Sequence, residues 1–289
     1  MKNKIKIVSV FMIFVTVFVF AFGAKAAETK FTAKGIDISY WQGANVNFEK
    51  IKQAGYSFVI LRIGTSNGKD STFDNNYKKA TAAGLNVGCY FYTYALEASA
   101  SEKEAENVIS WIGTKQLQYP VYFDIEDSSI QNASLTKAQR TALVTAFNEK
   151  IKKAGFLPGV YANNYWLKYL LDKQTITDNY DLWLASWTES GQPDVDKSAE
   201  CKLWQYSKKG VIDDAQIATD TVDLDVSYFD YPSYVKANGL NNYEKQEEPT
   251  TQEEPTETTK PNTDFSFLTN WYNRLLRIIK LLISIFDFS

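Results

Sequence analysis

The chain holds 289 residues, 45% hydrophobic and 22% charged, with a net charge of −3 and no histidine. This composition suits a globular protein. The missing histidine excludes a Ser-His-Asp triad, a Cys-His dyad and any His-ligated zinc site, so acid–base chemistry near neutral pH falls to carboxylates, lysine, tyrosine or cysteine, and the mildly acidic balance argues against general nucleic-acid binding.

The first residues read as an export signal. Lys2, Lys4 and Lys6 precede an apolar run from Ile7 to Gly23, and Ala24-Lys25-Ala26 follows as a small-x-small site. Residues 1–26 are expected to be removed by cleavage after Ala26. The apolar run is close to the shortest that spans a bilayer, so an uncleaved anchor is the alternative. Export predicts a secreted, extracellular protein, in which Cys89 and Cys201 could pair. Cys89 lies in a strand-like apolar run, where a buried free thiol is the other reading.

Residues 27–240 read as one α/β domain. Short apolar, β-branched and aromatic runs recur at Ile36–Ser39, Phe58–Gly64, Val87–Tyr94, Val121–Ile125, Gly159–Ala162, Leu182–Trp187, Leu203–Tyr206 and Val222–Val226. Bounded by turn residues, they predict buried strands. Helical patterns over 48–54, 73–83 and 137–154 each end in Ala-Gly, and each glycine suits the left-handed position after a helix. Thr136 and Gln139 form a capping box at the start of the third. Further helices are predicted over 101–112 and 164–172. Helix-glycine-strand repeats imply parallel strands with crossover helices. Eight strands with about five helices predict an incomplete β/α, TIM-like barrel. An open doubly wound sheet is the competing architecture, but no glycine-rich phosphate loop follows the first strand.

Three of these strands carry acids. Asp37 lies in the first, Asp124 and Glu126 in the fourth, and Asp223 and Asp225 in the last. Side chains alternate along a strand, so Asp124 and Glu126 share a face while Phe123 and Ile125 point the other way. Two carboxylates on the interior of an apolar strand are costly unless paired or partly neutralised, and closeness pushes one pKa up. A carboxylic acid beside a carboxylate is the minimum equipment for cleaving a glycosidic bond. Loop-exposed or helix-capping acids, or a calcium or magnesium site, are the alternatives. Tyr40, Trp41, Tyr90, Tyr92, Tyr94, Tyr161, Trp183, Trp187, Trp204 and Tyr206 cluster at strand ends. Any one can be core packing, but aromatic faces stack on sugar rings, and their grouping beside acids suggests a carbohydrate cleft.

Several motifs resemble glycoside hydrolase family 25, the Chalaropsis-type lysozymes. Gly35-Ile36-Asp37-Ile38-Ser39-Tyr40-Trp41-Gln42-Gly43 resembles the family's opening motif, and Gly88-Cys89-Tyr90-Phe91-Tyr92 its third strand. Tyr119-Pro120-Val121-Tyr122-Phe123-Asp124-Ile125-Glu126 resembles the Asp-x-Glu strand. Leu182–Trp187, Leu203–Ser207 and Thr221–Asp225 resemble the later strands, in order across about residues 34–231. The resemblance implies a muramidase that hydrolyses the β-1,4 bond between N-acetylmuramic acid and N-acetylglucosamine in peptidoglycan glycan strands, without cofactor or metal. Glu126 would be the general acid/base. Asp124 would orient the substrate's 2-acetamido group as it attacks the anomeric carbon, a direct nucleophilic role being the competing mechanism. Asp37 and Asp223 would flank the pair. Tyr90, Trp187, Tyr92 and Gln205 would bind substrate. Asp225 shares a face with Asp223, and which of the two is the fourth acid stays open.

Residues 241–264 are rich in Glu, Thr and Pro and carry seven acids against two lysines, predicting an extended, disordered spacer. Over 265–289, Ser266, Asn270, Asn273, Arg277, Lys280, Ser284 and Asp287 form one polar stripe on an otherwise apolar segment. That predicts an amphipathic C-terminal helix, lying on an anionic membrane surface or associating with itself or a partner. Two other functions compete with a secreted muramidase. One is a non-catalytic peptidoglycan-binding module that targets a membrane-active tail. The other is hydrolysis of chitin, which carries the same 2-acetamido group.

Overall fold

The computed structural model describes residues 31–245. The predicted signal over 1–26, most of the predicted spacer and the predicted helix over 265–289 lie outside the described residues. The strands are β1 (Ala33–Ile38), β2 (Phe58–Thr65), β3 (Gly68–Lys69), β4 (Asn86–Tyr92), β5 (Val121–Asp124), β6 (Pro158–Asn163), β7 (Asp181–Ala185), β8 (Leu203–Gly210) and β9 (Val222–Ser227). Eight of them close a barrel in the order β1-β2-β4-β5-β6-β7-β8-β9 and back to β1, while β3 is a short antiparallel addition to β2.

The helices are α1 (Phe48–Gln53), α2 (Phe73–Ala82), α3 (Ala98–Ile112), α4 (Ser128–Asn132), α5 (Lys137–Lys153), α6 (Lys173–Asn179) and α7 (Tyr231–Asn238), with a 3-10 turn at Tyr40–Gln42 and a π-helical turn at Trp166–Leu170. The short α4, α6 and α7 raise the number above the five that periodicity suggests, because elements of five to eight residues carry too few turns for a pattern to register. The expected helix over 164–172 is only the π-helical turn. Leu171 is extended, and Asp172 starts α6 as its N-cap residue. The Ala-Gly stops do end their helices, with φ of +91° at Gly55, +73° at Gly84 and +85° at Gly155. The capping box at Thr136 and Gln139 is formed.

The barrel itself is closed; what is incomplete is its helical jacket. No helix lies between β7 and β8 or between β8 and β9. In addition β9 runs antiparallel to both of its neighbours, whereas the other barrel pairings are parallel. The expectation of parallel strands with crossover helices does not hold for the last strand; a loop can bring the chain back in either direction, parallel into β8 and antiparallel into β9.

Alternation sorts the core into two layers. Ile36, Val59, Leu61, Val87, Phe91, Phe123, Val160, Leu182 and Trp204 face outward under the helices. Phe58, Ile60, Tyr119, Tyr122, Trp183, Leu203 and Tyr231 fill the barrel's interior. Rings of this size fit only because small residues face them. A Cβ on Gly35 would fall inside the Phe58 ring, and one on Gly159 inside the Tyr122 ring. Cys89 and Cys201 are both buried and free. Just past α7, Asn241 closes the barrel floor: Leu157 N donates to its Oδ1 at 2.7 Å, and its Nδ2 donates to Tyr119 O at 2.9 Å. Among the described residues no helix is long and apolar enough to cross a membrane.

Candidate active site

The parallel strands end on one rim, and their last inward positions carry the polar residues. Asp37 on β1, Tyr92 on β4, Asp124 on β5 and Tyr161 on β6 lie here, with Tyr90 one layer deeper on β4 and Glu126 just beyond the end of β5. Strand β9 enters from the same rim. Its first residues therefore lie where its neighbours' last ones do, and Asp223 pairs in register with Asp37. Asp225 sits one layer deeper, opposite Gly35. The two aspartates on one face, left open by the sequence, thus occupy different depths. Asp223 is half-buried at the mouth, whereas Asp225 is fully buried and accepts a hydrogen bond from Trp183 Nε1 at 2.8 Å.

All four predicted catalytic acids converge. Burial, then the charges of Asp223 and Asp225, push the Asp37 carboxyl well above its usual range, opposed by a hydrogen bond from Gln205. Burial and then Glu126 push Asp124 up, opposed by the Arg62 guanidinium. Burial, then Asp223 and Asp127, raise Glu126 to about 7, opposed by the Tyr161 hydroxyl and Lys208. Burial raises Asp223 to about 6, again opposed by Lys208. Close carboxyls in a site of low polarity share protons. The Arg62 guanidinium offsets only part of the rise at Asp124, so both carboxyls of the pair hold a proton more firmly than free ones do. The Asp124 Oδ1 atom is buried without a hydrogen-bond partner among the described residues.

Gln205 ties the wall to the acids. Its Oε1 accepts from Tyr161 OH at 3.0 Å and from Trp187 Nε1 at 3.0 Å, and its Nε2 donates to Asp37 Oδ2 at 2.8 Å. Expected among the substrate-binding side chains, Gln205 is instead only 3% exposed, with both ends of its amide engaged. It positions Trp187 and Asp37. Trp187 itself is 51% exposed and stands on the rim with Tyr40, Trp41 and Tyr94. Tyr90 packs edge-on against Trp183, and Tyr92 OH donates to Asp127 Oδ2 at 3.0 Å.

The motifs did not bring out Arg62. Its guanidinium is paired with buried Asp70 at 2.8 Å and lies 4.6 Å from the Tyr40 ring centroid. A signal was present, since Phe58, Ile60 and Arg62 form one alternating face and the cation caps it at the rim end. Among the described residues no three acidic or cysteine side chains are grouped as metal ligands. Buried carboxyls with raised pKa values under an aromatic rim are suited to protonating a leaving oxygen while holding a polar substrate group beside the reacting carbon.

Comparison with known proteins agrees with this geometry. The profile of glycosyl hydrolases family 25 matches residues 36–215. The autolytic lysozyme of Clostridium acetobutylicum is 30% identical over 180 residues, which cover 62% of this chain and 52% of that protein. A lysozyme structure from Streptomyces coelicolor superposes with a TM-score of 0.58 at 25% identity, covering 73% of this chain and 97% of that one. A modular autolysin from Streptococcus pneumoniae, solved with a synthetic peptidoglycan ligand, gives a TM-score of 0.59 at 26% identity, covering 68% of this chain and 46% of that one. The chain spans about half the length of the curated relatives it matches first. The family match extends over more than half of the chain, and the chain belongs to glycosyl hydrolases family 25.

Proposed function

We propose that this family 25 hydrolase is a secreted muramidase, cleaving the β-1,4 bond between N-acetylmuramic acid and N-acetylglucosamine with Glu126 as acid and base. The observation that carries the reading is the raised Glu126 carboxyl, at about 7, above a buried Asp124 held beside Arg62. A group that keeps its proton near neutrality can deliver it to the glycosidic oxygen.

Asp124 ends β5, Glu126 follows two residues on, and the two approach a sugar from similar sides. That placement disfavours Asp124 as a nucleophile on the opposite face and favours substrate assistance. Asp124 orients the 2-acetamido group. The acetamido carbonyl oxygen then attacks the anomeric carbon, and the bond to the leaving oxygen breaks as Glu126 gives up its proton. An oxazolinium ion results. Glu126, now a carboxylate, takes a proton from water as the water oxygen opens the ring at the same carbon, restoring the acid. Asp37 and Asp223 hold the electrostatics of the pair, while Tyr90, Tyr92 and Trp187 form the sugar-contacting wall. The predicted spacer and amphipathic tail would keep the barrel near an envelope surface.

The test is a digest of purified peptidoglycan by the full chain and by Glu126→Gln, with products reduced by borohydride and read by mass spectrometry. New muramitol ends are expected from the wild type alone. Binding of the wall by both proteins with no new ends from either would make the barrel a targeting module. Parallel digestion of chitin oligomers reads the competing substrate.

A further inference from the structure

In the barrel sector without helices, loops cover the outward residues of β8 and β9, and Trp204, Tyr206, Leu224 and Val226 are buried. A cleft of about 510 Å³ lies there, between the loop that follows β7 and the strand surface, with Tyr206 and Leu224 in its floor. Trp187 stands at one end. Lys34, Lys208 and Lys209 line the cleft against a single acid, Glu189. Among the described residues none of these three lysines takes part in an ion pair, although nine ion pairs occur elsewhere. The Lys208 ammonium lies 4.1 Å from the Trp187 ring centroid, and the same cation acts on Glu126 and Asp223. The cleft therefore opens beside the catalytic acids and leads away down the barrel's outer wall.

We infer that this cleft binds the acidic peptide stem carried on the muramic acid of the strand being cleaved. The inference rests on the muramidase reading for the source of the ligand. The argument from chemistry is one of complementarity. The glycan backbone is uncharged, and the rim it must cross is strongly acidic. A stem peptide carries carboxylates that this rim repels and three free lysines attract. The volume suits a short peptide. Electrostatic contacts of this kind add selectivity between stem-bearing and stem-free strands more than raw affinity.

The first test reads binding apart from hydrolysis. The isotope-labelled full chain is titrated with soluble alanyl-γ-glutamyl-diaminopimelate, and with the same tripeptide after amidation of its carboxylates. Amide shifts are expected at Gly191, Lys208 and Lys209 with the acidic peptide, and several-fold weaker binding with the amidated one. The double variant Lys34→Gln/Lys209→Gln should weaken binding of the acidic peptide by about fivefold, as expected for exposed charge contacts, whereas Lys152→Gln, on the C-terminal turn of α5, should not. No shift in the cleft, or equal weakening by Lys152→Gln, overturns the inference whatever the enzyme does to glycan. The second test compares KM on stem-bearing peptidoglycan with KM on amidase-stripped glycan, where only the lactyl carboxylate remains. The double variant should raise the first relative to the second by a similar factor, and an unmoved ratio overturns the assignment. Cleft binding without any new muramitol ends would sink the muramidase reading alone.

Discussion

Replacing Glu126 with glutamine should abolish activity yet stabilise the fold, and only above the acidic range. The wild-type carboxyl moves from 4.5 to about 7 on folding, chiefly through burial and then through Asp223 and Asp127. Below pH 4.5 both the folded and unfolded chains carry the proton, and nothing is lost. Between 4.5 and 7 the unfolded chain releases it first, so the folded state loses stability as pH rises through that window. Once the carboxyl is ionised in both states the loss is about 3 kcal/mol. Glutamine keeps the shape and never ionises. For a domain of this size each kcal/mol is about 2–4 °C in Tm, so the variant should melt roughly 6–12 °C above wild type at pH 8. At pH 4 the two should melt nearly together. Calorimetry of both proteins across that range is the assay, paired with a pH–rate profile. In the profile, kcat/KM should fall on the alkaline side of about 7 as Glu126 loses its proton. A Tm gain equally large at pH 4, or none at pH 8, would mean that Glu126 is an ordinary carboxylate, and its role as acid would go with it.

Arg62→Met strands Asp70 as a buried, unpaired charge and should cost about 3–5 kcal/mol in denaturant unfolding; a loss below 1 kcal/mol would show the pair at 2.8 Å to be incidental. Gly35→Ala places a methyl inside the Phe58 ring and should cost about 1–3 kcal/mol. Phe58→Leu should recover part of that loss in a double-mutant cycle, and strict additivity would contradict the packing argument. Thr136→Ala removes the cap that bonds Gln139 N at 3.2 Å and should cost about 1 kcal/mol with glycan cleavage unaffected; a fall in kcat would mean that α5 carries strain to the rim.

Much of the frame was legible because it rests on local rules. Glycine after alanine ends a helix for a reason contained in two residues, and Gly55, Gly84 and Gly155 all show it. Alternation puts Asp37, Tyr90 and Asp124 on one face of their strands regardless of what surrounds them, and the barrel then turns that face inward. The same rule holds at Gly35 and Gly159, whose smallness becomes meaningful only once the Phe58 and Tyr122 rings are seen to occupy the space. Gln205 reads from sequence as an available polar residue near a strand end, and in the structure three partners hold its amide.

Alternation assigns a face but no direction, and the last two strands turn on that difference. Val222-Asp223-Leu224-Asp225 has the same pattern read either way. In a parallel strand Asp225 would reach the rim; in the antiparallel β9 it is Asp223, level with Asp37, and Asp225 becomes the deep partner of Trp183. Both β8 and β9 follow loops rather than helices, and a loop permits either direction, parallel for β8 and antiparallel for β9. Lys208 was hidden for a related reason. The pairing of β8 with β9 slips between Gln205 and Ser207 and again between Ser207 and Gly210. Beyond such a bulge the two-residue repeat no longer says which way a side chain points. The irregularity that breaks the repeat is also what brings a cation over Trp187 and beside the acids. The region least readable from sequence is therefore the one that loops rather than helices cover, and the cleft beside those loops is where a charged substituent of the substrate has room to lie.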